Sequence, residues 1–401
     1  MKRKLTVLVL CACLCLTLLA GCGGNKIASY SGGTESSGAT STPANSGKGL
    51  AAYDANTVVC TVNGSDVTWE EYYYYLNTYR TAVESNYGSI TDWTATSAFN
   101  ASQTNNEAVL ALAQPEFLHT HLLLSKADEM KLSVSDDAVA KQIATTIDAS
   151  SLGNNDGTLS EDEEQALNNY LTQNSLSRSL FNTIVKENMT YDALYKNYTA
   201  DFTDKDVLSW AADQGYIAAK DILLLTVDQS NYNSESGTYA PLSDEEIASA
   251  KAKADDIYAQ LQAVANDPKA LNTLFDKLMN EDSQDTGLKN YPDGYCFKKG
   301  STSQAAFEDA AASLDENYGL SGVVKSDLGY HIILRIPLDP DMTMGYNSSS
   351  GTSSGTSSAT AYSLHDYCLS QKFNDQVEQW YSAAQITWAD GFEKLDLSPI
   401  F

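Results

Sequence analysis

The chain is short of positive charge, and this shortage excludes a class of partner. Only 25 of its 401 residues are Lys or Arg, against 52 Asp or Glu, so the formal net charge is −27. Such a surface repels nucleic acid and anionic lipid alike. We therefore predict no nucleic-acid partner and attribute the acidic surface to solubility and resistance to self-association.

Cysteine and histidine are also sparse, and they show neither a disulfide framework nor a metal-ligand pattern. Four of the seven cysteines lie within the first 22 residues, and the others are Cys60, Cys296 and Cys368. Three thiols at wide spacing close one pair at most, and which pair, if any, is left open. His119 and His121 stand two residues apart on a helical pattern, so they do not share a face as ligands spaced by four would. We predict no metal and no cofactor.

The N-terminus is typical of a targeting segment. A basic stretch precedes an apolar run at residues 5–19, which is too short to span a bilayer comfortably. The run ends in Leu-Ala-Gly before Cys22, which resembles the lipobox of a bacterial lipoprotein. That resemblance implies a signal peptide over residues 1–21 and a lipid anchor on Cys22 at the extracytoplasmic face of the cell membrane. An ordinary signal peptide with a chance cysteine is the alternative.

Composition then divides the chain into a tether and a helical region. Residues 22–55 are rich in Ser, Gly and Thr with almost no apolar residues, so they are predicted to be a disordered tether. Residues 56–215 start with a short β run that ends at Asn63-Gly64, a strong turn signal. Amphipathic helical patterns follow, and they predict an all-α region.

Local signals predict where several helices begin or break. Thr68 and Glu71 have the spacing of a capping box, as do Ser243 and Glu246. Pro115 interrupts a long apolar helical pattern and is predicted to kink it or to split it in two.

Beyond the helical region the pattern mixes strands and helices. Residues 216–340 follow the order β-α-α-β-α-β-β and close with strand runs at 320–324 and 330–336. Residues 341–361 are a low-complexity linker, almost pure Ser, Gly and Thr in the middle. The helix within residues 362–401 is too apolar to stand alone. We expect it to pack on the helical region, which makes the β-containing unit an insertion.

Two stretches resemble the SurA/PrsA type of secreted foldase. The segment V-N-G-S-D-V-T at residues 62–68 is similar to the start of its helical chaperone domain. Residues 216–340 resemble a parvulin-type (PPIC) peptidyl-prolyl isomerase domain, most specifically at L-G-Y-H-I-I, residues 328–333. The resemblance implies an α+β fold: an all-α chaperone domain of N-terminal helices plus the C-terminal helix, carrying an inserted domain of four antiparallel strands and surrounding helices.

The resemblance also implies a site for rotation about X-Pro bonds. Such a site needs an apolar cup for the proline ring and hydrogen bonds that favour the twisted amide. Carried over residue by residue, His331 is the catalytic histidine, Asp282 its acidic partner and Phe307 the cup. Phe297 is expected to line the same wall.

This sequence departs from the family at two positions, so isomerase activity is left open. Asp221 stands where the resemblance places the first of two histidines, and Thr302 or Ser303 replaces the cup methionine. We expect Asp221 to accept a hydrogen bond from His331 and fix its tautomer. A polar residue in place of methionine forfeits part of the ~1.5–3 kcal/mol that burying such a side chain contributes.

Three functions follow from these observations. The first is a membrane-anchored folding factor that binds unfolded secreted polypeptides and isomerises X-Pro bonds. The second is a non-catalytic holdase chaperone, in which the tyrosine-rich helices hold clients and the parvulin-like domain is inert. The third is a cell-wall-associated scaffold lipoprotein. The oligomeric state is open, a homodimer included.

Overall fold

The computed structural model describes residues 47–148, 158–174, 176–302, 304–347 and 360–401. These residues form two compact units, one built from residues 47–200 and 373–401 and the other from residues 201–372. Cys22, Ser303, the predicted signal peptide and most of the predicted linker lie outside the described residues.

A run of helices is followed by a region that mixes helices with antiparallel strands, so the predicted α+β fold class is confirmed. Up to residue 200 they are β1 (Val58–Val62), β2 (Ser65–Thr68), α1 (Trp69–Tyr87), α2 (Asn105–Glu129), α3 (Asp136–Asp148), α4 (Glu161–Gln173) and α5 (Arg178–Thr199). The next are α6 (Asp204–Asp213), β3 (Tyr216–Leu225), β4 (Val227–Asn233), β5 (Thr238–Pro241), α7 (Asp244–Gln262), α8 (Pro268–Asp282), β6 (Tyr295–Lys298) and α9 (Ala305–Ser313). The last are β7 (Val324–Lys325), β8 (Gly329–Ile336), β9 (Thr343–Asn347), β10 (Thr360–Ser363), α10 (Leu364–Ser382) and β11 (Ile386–Trp388).

The predicted turn at Asn63-Gly64 joins two strands of a hairpin. Asn63 has φ 51° and Gly64 φ 83°, the left-handed pair that matches the twist of two antiparallel strands. Strand β11 adds to the other edge of β1, with Cys60 opposite Trp388. The C-terminal part of the chain therefore completes the sheet on which the first unit begins.

The core of the first unit joins both ends of the chain. Trp69 and Tyr72 pack with Phe392 and Leu397, all of them buried. Ala52 belongs to the same core, so the last part of the segment predicted as a disordered tether is folded.

Several tyrosines of the tyrosine-rich helices contribute to the packing of the first unit. Tyr72 and Tyr75 are buried in the core, and three tyrosines of α5 surround the buried ring of Phe373 from α10. The tyrosines of α5 are Tyr191, Tyr195 and Tyr198.

The helix signals have mixed outcomes. The capping box at Ser243 and Glu246 is confirmed, with both reciprocal hydrogen bonds present. The box predicted at Thr68 and Glu71 is wrong, because Thr68 makes no side-chain cap bond and the Glu71 carboxylate accepts a hydrogen bond elsewhere. Pro115 lies inside one continuous helix, α2, so the predicted split does not occur.

The second unit is built on a four-stranded antiparallel sheet in the order β6-β3-β8-β7. Ile222, Leu224 and Ile332 point to the face covered by α7 and α8. Ile333 and Phe297 point to the opposite face, where α9 packs. The sheet thus has two apolar faces, as expected for strands without clean alternation.

Some strands differ from the sequence prediction. The run at 320–324 yields only the two-residue strand β7 and one isolated bridge between Leu320 and Leu334. Two hairpins, β4–β5 and β9–β10, were not predicted, because their strands are polar and largely exposed or flank a Ser/Gly-rich segment.

Candidate active site

Asp221 and His331 meet on the two central strands of the second unit. The register pairs Asp221 with Ile333 and Leu223 with His331, so the acid and the histidine are diagonal neighbours on one face. Asp221 Oδ2 lies 2.8 Å from His331 Nδ1, and the two residues are only 4% and 2% exposed. The hydrogen bond expected between them is present.

A serine completes a three-residue chain of hydrogen bonds. Ser326 Oγ lies 2.7 Å from His331 Nε2, and it also accepts hydrogen bonds from the backbone N–H groups of Leu328 and Gly329. An oxygen that already accepts two N–H donors has little room for a third, so it donates its own proton to Nε2. The network therefore assigns a neutral imidazole whose Nδ1–H donates to Asp221.

Burial dominates the electrostatics of Asp221. It raises the pKa of the Asp221 carboxyl, the hydrogen bond from His331 lowers it in part, and the charge of Asp285 raises it again. The second oxygen, Oδ1, is buried without a hydrogen-bond partner among the described residues. Burying a carboxylate with one unpaired oxygen costs free energy of desolvation. The hydrogen bond from His331 offsets part of this cost and so allows Asp221 to lie inside the sheet.

An aromatic wall lies beside the pair. The rings of Phe297 and Phe307 are 5.1 Å apart, and the ring of Phe307 is 6.4 Å from that of His331. Both phenylalanines are only 5% exposed. Phe307, expected to form the proline cup, thus lies beside His331 and packs against Phe297.

Asp282, carried over as the acidic partner, lies on the other face of the sheet. It ends α8 and forms an ion pair with Lys253 of α7, 2.8 Å between Oδ1 and Nζ. Helices α7 and α8 cover the face opposite to Asp221 and His331. Among the described residues no hydrogen bond joins Asp282 to His331.

The carboxylate that does influence the pair is Asp285, which sequence reasoning missed. After α8 the chain follows the free edge of β3, where Ser283 Oγ accepts from Leu223 N–H and Gln284 N–H donates to the Leu223 carbonyl. This path brings Asp285 to the Asp221 side, where its Oδ2 accepts a hydrogen bond of 2.5 Å from the Tyr295 hydroxyl. The signal available in the sequence was the serine two residues earlier, which marks the end of the helix.

The loop before Phe307 is shaped by a glutamate rather than by a cup side chain. Thr302 is exposed, and its backbone N–H donates to Glu308 Oε1, while Gly300 N–H donates to Oε2, each at 2.5 Å. Burial alone would raise the pKa of Glu308, but these backbone hydrogen bonds outweigh it and lower the pKa. Ser303, the other candidate for the cup, lies outside the described residues.

Three thiols lie in the part of the chain that the structure describes, and none of them is paired. Cys60 and Cys368 are buried, Cys296 is half-buried, and all three are free thiols. Burial raises the pKa of Cys296 to about 12, so its thiol is unreactive at neutral pH. In the described ranges, no group of three or more His, Cys, Asp or Glu side chains could hold a metal ion.

Two family models match the sequence. One, described as a SurA-like N-terminal domain, matches residues 4–195. The other, described as a PPIC-type PPIase domain, matches residues 240–336 and so includes His331 and Phe307. No curated protein sequence matches the chain.

Several solved structures are similar to this chain at low identity. The peptidylprolyl isomerase PrsA from Bacillus anthracis is 20% identical, with 67% of this chain and 94% of that chain covered and a TM-score of 0.24. The foldase protein PrsA from Streptococcus pneumoniae is 15% identical, with coverages of 86% and 100% and a TM-score of 0.26. PrsA from Bacillus subtilis is 17% identical, with coverages of 82% and 91% and a TM-score of 0.23. At such TM-scores these likenesses support no inference about this chain.

The two family matches lie on one chain and in the order that the sequence predicted. The first covers the helices that pack around Trp69 and Tyr72, and the second covers most of the sheet that carries His331. The protein therefore combines a SurA-like N-terminal domain with a PPIC-type peptidyl-prolyl isomerase domain.

Proposed function

We propose that the protein is a folding factor that acts mainly by binding unfolded polypeptides, and that its PPIC-type domain isomerises X-Pro bonds slowly or not at all. The two family matches support a role in protein folding, as a chaperone or as an isomerase. The choice between these two rests on the surroundings of His331.

The observation that carries the proposal is that both ring nitrogens of His331 are already engaged. Nδ1 is hydrogen-bonded to Asp221 and Nε2 to Ser326, and the ring is almost fully buried. A substrate amide could reach the imidazole only after one of these bonds is broken, which leaves a buried polar atom unpaired at a cost of roughly 1–3 kcal/mol. A cost of that size opposes the stabilisation of the twisted amide that catalysis requires.

The aromatic wall supports the same choice. A proline ring binds by burying apolar surface, yet Phe297 and Phe307 cover each other and expose little of either ring. Other aromatic side chains offer more surface to a client. Tyr87, beside Phe99 in the first unit, is 57% exposed, and Tyr232 of the β4–β5 hairpin is 56% exposed.

One observation favours the isomerase as second candidate. The Phe307 ring lies only 6.4 Å from the His331 ring, so a rotation of Phe307 would open an apolar surface directly beside the pair. In that case Asp221 would orient His331 while the imidazole ring of His331 contacts the substrate.

A protease-coupled cis/trans assay on a proline peptide separates the two candidates. We expect wild-type protein to leave the uncatalysed rate unchanged, and His331→Ala and Asp221→Asn to behave identically, because the pair does not reach the substrate. His365→Ala, which removes a partly exposed histidine of the same unit, is the matched control. Acceleration by wild type and by His365→Ala but not by His331→Ala would establish the isomerase instead.

We also propose that the protein is lipid-anchored through Cys22 at the extracytoplasmic face of the membrane. The basic stretch, the apolar run at residues 5–19 and the Leu-Ala-Gly-Cys sequence support this. Within the part of the chain that the structure describes, no helix combines the length and apolarity needed to cross a bilayer.

Fractionation of cells tests the anchor. Cys22→Ala should move the protein from the membrane fraction to the soluble fraction, and should abolish incorporation of a labelled fatty acid. Cys296→Ala leaves the segment around residue 22 untouched and should stay in the membrane fraction. Retention of label and membrane association by Cys22→Ala would refute the anchor.

A further inference from the structure

The first unit contains a buried polar cluster that the proposed function does not use. Glu71 of α1 accepts from His121 of α2, with 2.9 Å between Oε2 and Nε2, and the Ser65 hydroxyl lies 3.0 Å from His121 Nδ1. Glu187 of α5 belongs to the same cluster and is hydrogen-bonded to the side chain of Thr120. Three helices therefore meet at two buried carboxyl groups.

Both carboxyl groups leave one oxygen unsatisfied. Glu71 and Glu187 are 5% and 4% exposed, and Glu71 Oε1 and Glu187 Oε2 are buried with no hydrogen-bond partner among the described residues. An ionised carboxylate without full hydrogen bonding is costly to bury, whereas a protonated carboxyl is much less so. The geometry thus favours one proton on this pair of acids.

The carboxylates that face Glu187 add negative charge around it and do not stabilise its ionised form. From α1 it is faced by Glu71 and by the hydroxyl of Tyr75, and from α2 by Glu116. The Glu116 carboxylate accepts from the Tyr79 hydroxyl, and His121 is committed to Glu71.

The basic residues of α5 at either side are paired outside the cluster. Lys186 contacts Asp136 of α3 at 3.0 Å, and Arg178 contacts Glu164 of α4 at 2.9 Å. Burial, the first cause, together with the charges of two neighbouring glutamates, raises the pKa of Glu187 to about 8, and the bond to Thr120 lowers it only in part.

We propose that Glu187 is a proton-controlled latch that holds α5 against α1 and α2. With its proton, the carboxyl is neutral beside Glu71 and α5 stays packed. When the proton leaves, a second negative charge appears in a buried site and α5 loosens. Phe181 and Ile184 of α5 pack with α3 and α4, so loosening this helix exposes apolar surface.

The direction of the pH dependence follows from linkage. The pKa of Glu187 rises from an ordinary 4.5 to about 8 on folding, so between these values the folded state holds one proton more than the unfolded state. Stability is therefore greatest below the lower value, falls as pH rises between the two, and levels off above the upper one. The latch makes the first unit more stable in acid than in mild alkali.

Denaturant unfolding followed by tryptophan fluorescence tests the latch. The Trp210→Phe background is used because the other four tryptophans, Trp69, Trp93, Trp380 and Trp388, all belong to the first unit. We compare this parent with Glu187→Gln over a range from about pH 5 to about pH 9. The unfolding constant of the parent divided by that of Glu187→Gln should rise with pH by up to about tenfold per pH unit. It should level off near the pKa of Glu187 in the folded state.

Two further variants separate the latch from a general charge effect. Asp192→Asn removes an exposed carboxylate from α5 itself. The ratio of the parent's unfolding constant to that of this variant should not change with pH. Glu71→Gln removes the neighbouring charge, so in that background the pH at which the ratio of unfolding constants levels off should be lower. Hydrogen exchange of the α5 amides, corrected for intrinsic rates, should speed up in alkali in the parent but not in Glu187→Gln. The same pH dependence in the parent and in Glu187→Gln, by unfolding or by exchange, would overturn the proposal.

Discussion

At the scale of single residues, each of the two buried histidines is paired with a buried carboxylate. His331 joins Asp221 to Ser326, and His121 joins Glu71 to Ser65, so each unit buries a carboxylate by giving it an imidazole donor. A buried histidine with both nitrogens engaged is first of all a structural group. This is why the surroundings of His331 argue for a binding function.

Replacing Ser326 tests this structural role. Ser326→Ala leaves His331 Nε2 and the N–H groups of Leu328 and Gly329 without their partner. Because Ser326 is half-buried and water can replace part of the loss, we expect a decrease of about 1–2 kcal/mol in the free energy of unfolding. Urea denaturation, followed by a signal from the second unit, measures this decrease in the free energy of unfolding.

Ser313→Ala is the control for this measurement. Its hydroxyl donates to the Ala310 carbonyl on the surface of α9, so its loss should cost no more than about 0.5 kcal/mol. Equal stabilities of Ser326→Ala and Ser313→Ala would show that the hydrogen-bonded chain through His331 contributes nothing to folding.

At the scale of elements, the sequence predicted the long strands and helices and missed details set by neighbours. Hydrophobic period and capping signals locate β3, β8, α7 and α8 because those signals are local. The two-residue strand β7 has no such signal, since it exists only through its pairing with β8.

The positions of the site residues also depend on contacts that the local sequence does not reveal. Asp282 and Asp285 are three residues apart, and which one approaches Asp221 depends on where α8 ends and how the chain then follows β3. Glu71 had the spacing for a capping box, but the buried His121 attracts its carboxylate instead. Gly329 is required for a reason invisible in the sequence, because a Cβ there would lie 2.0 Å from the Leu224 carbonyl oxygen.

At the scale of the whole molecule, two units with different polar interiors share one acidic chain. A net charge of −27 favours solubility and repels phosphate-rich surfaces. Four large apolar side chains are exposed among the described residues: Val58, Tyr87 and Met130 lie in the first unit and Tyr232 in the second. Exposed tyrosines such as Tyr87 and Tyr232 suit weak contacts with many unfolded chains better than tight recognition of one.

The measurement that tests the central claim most directly is the refolding of a client whose slow phase is limited by proline isomerisation. Such phases last tens of seconds or more without a catalyst, so rate and yield are easily separated. We predict that stoichiometric protein raises the yield of refolded client while the rate constant of the slow phase stays unchanged. Acceleration of that phase by substoichiometric protein, lost in His331→Ala and kept in His365→Ala, would contradict the account.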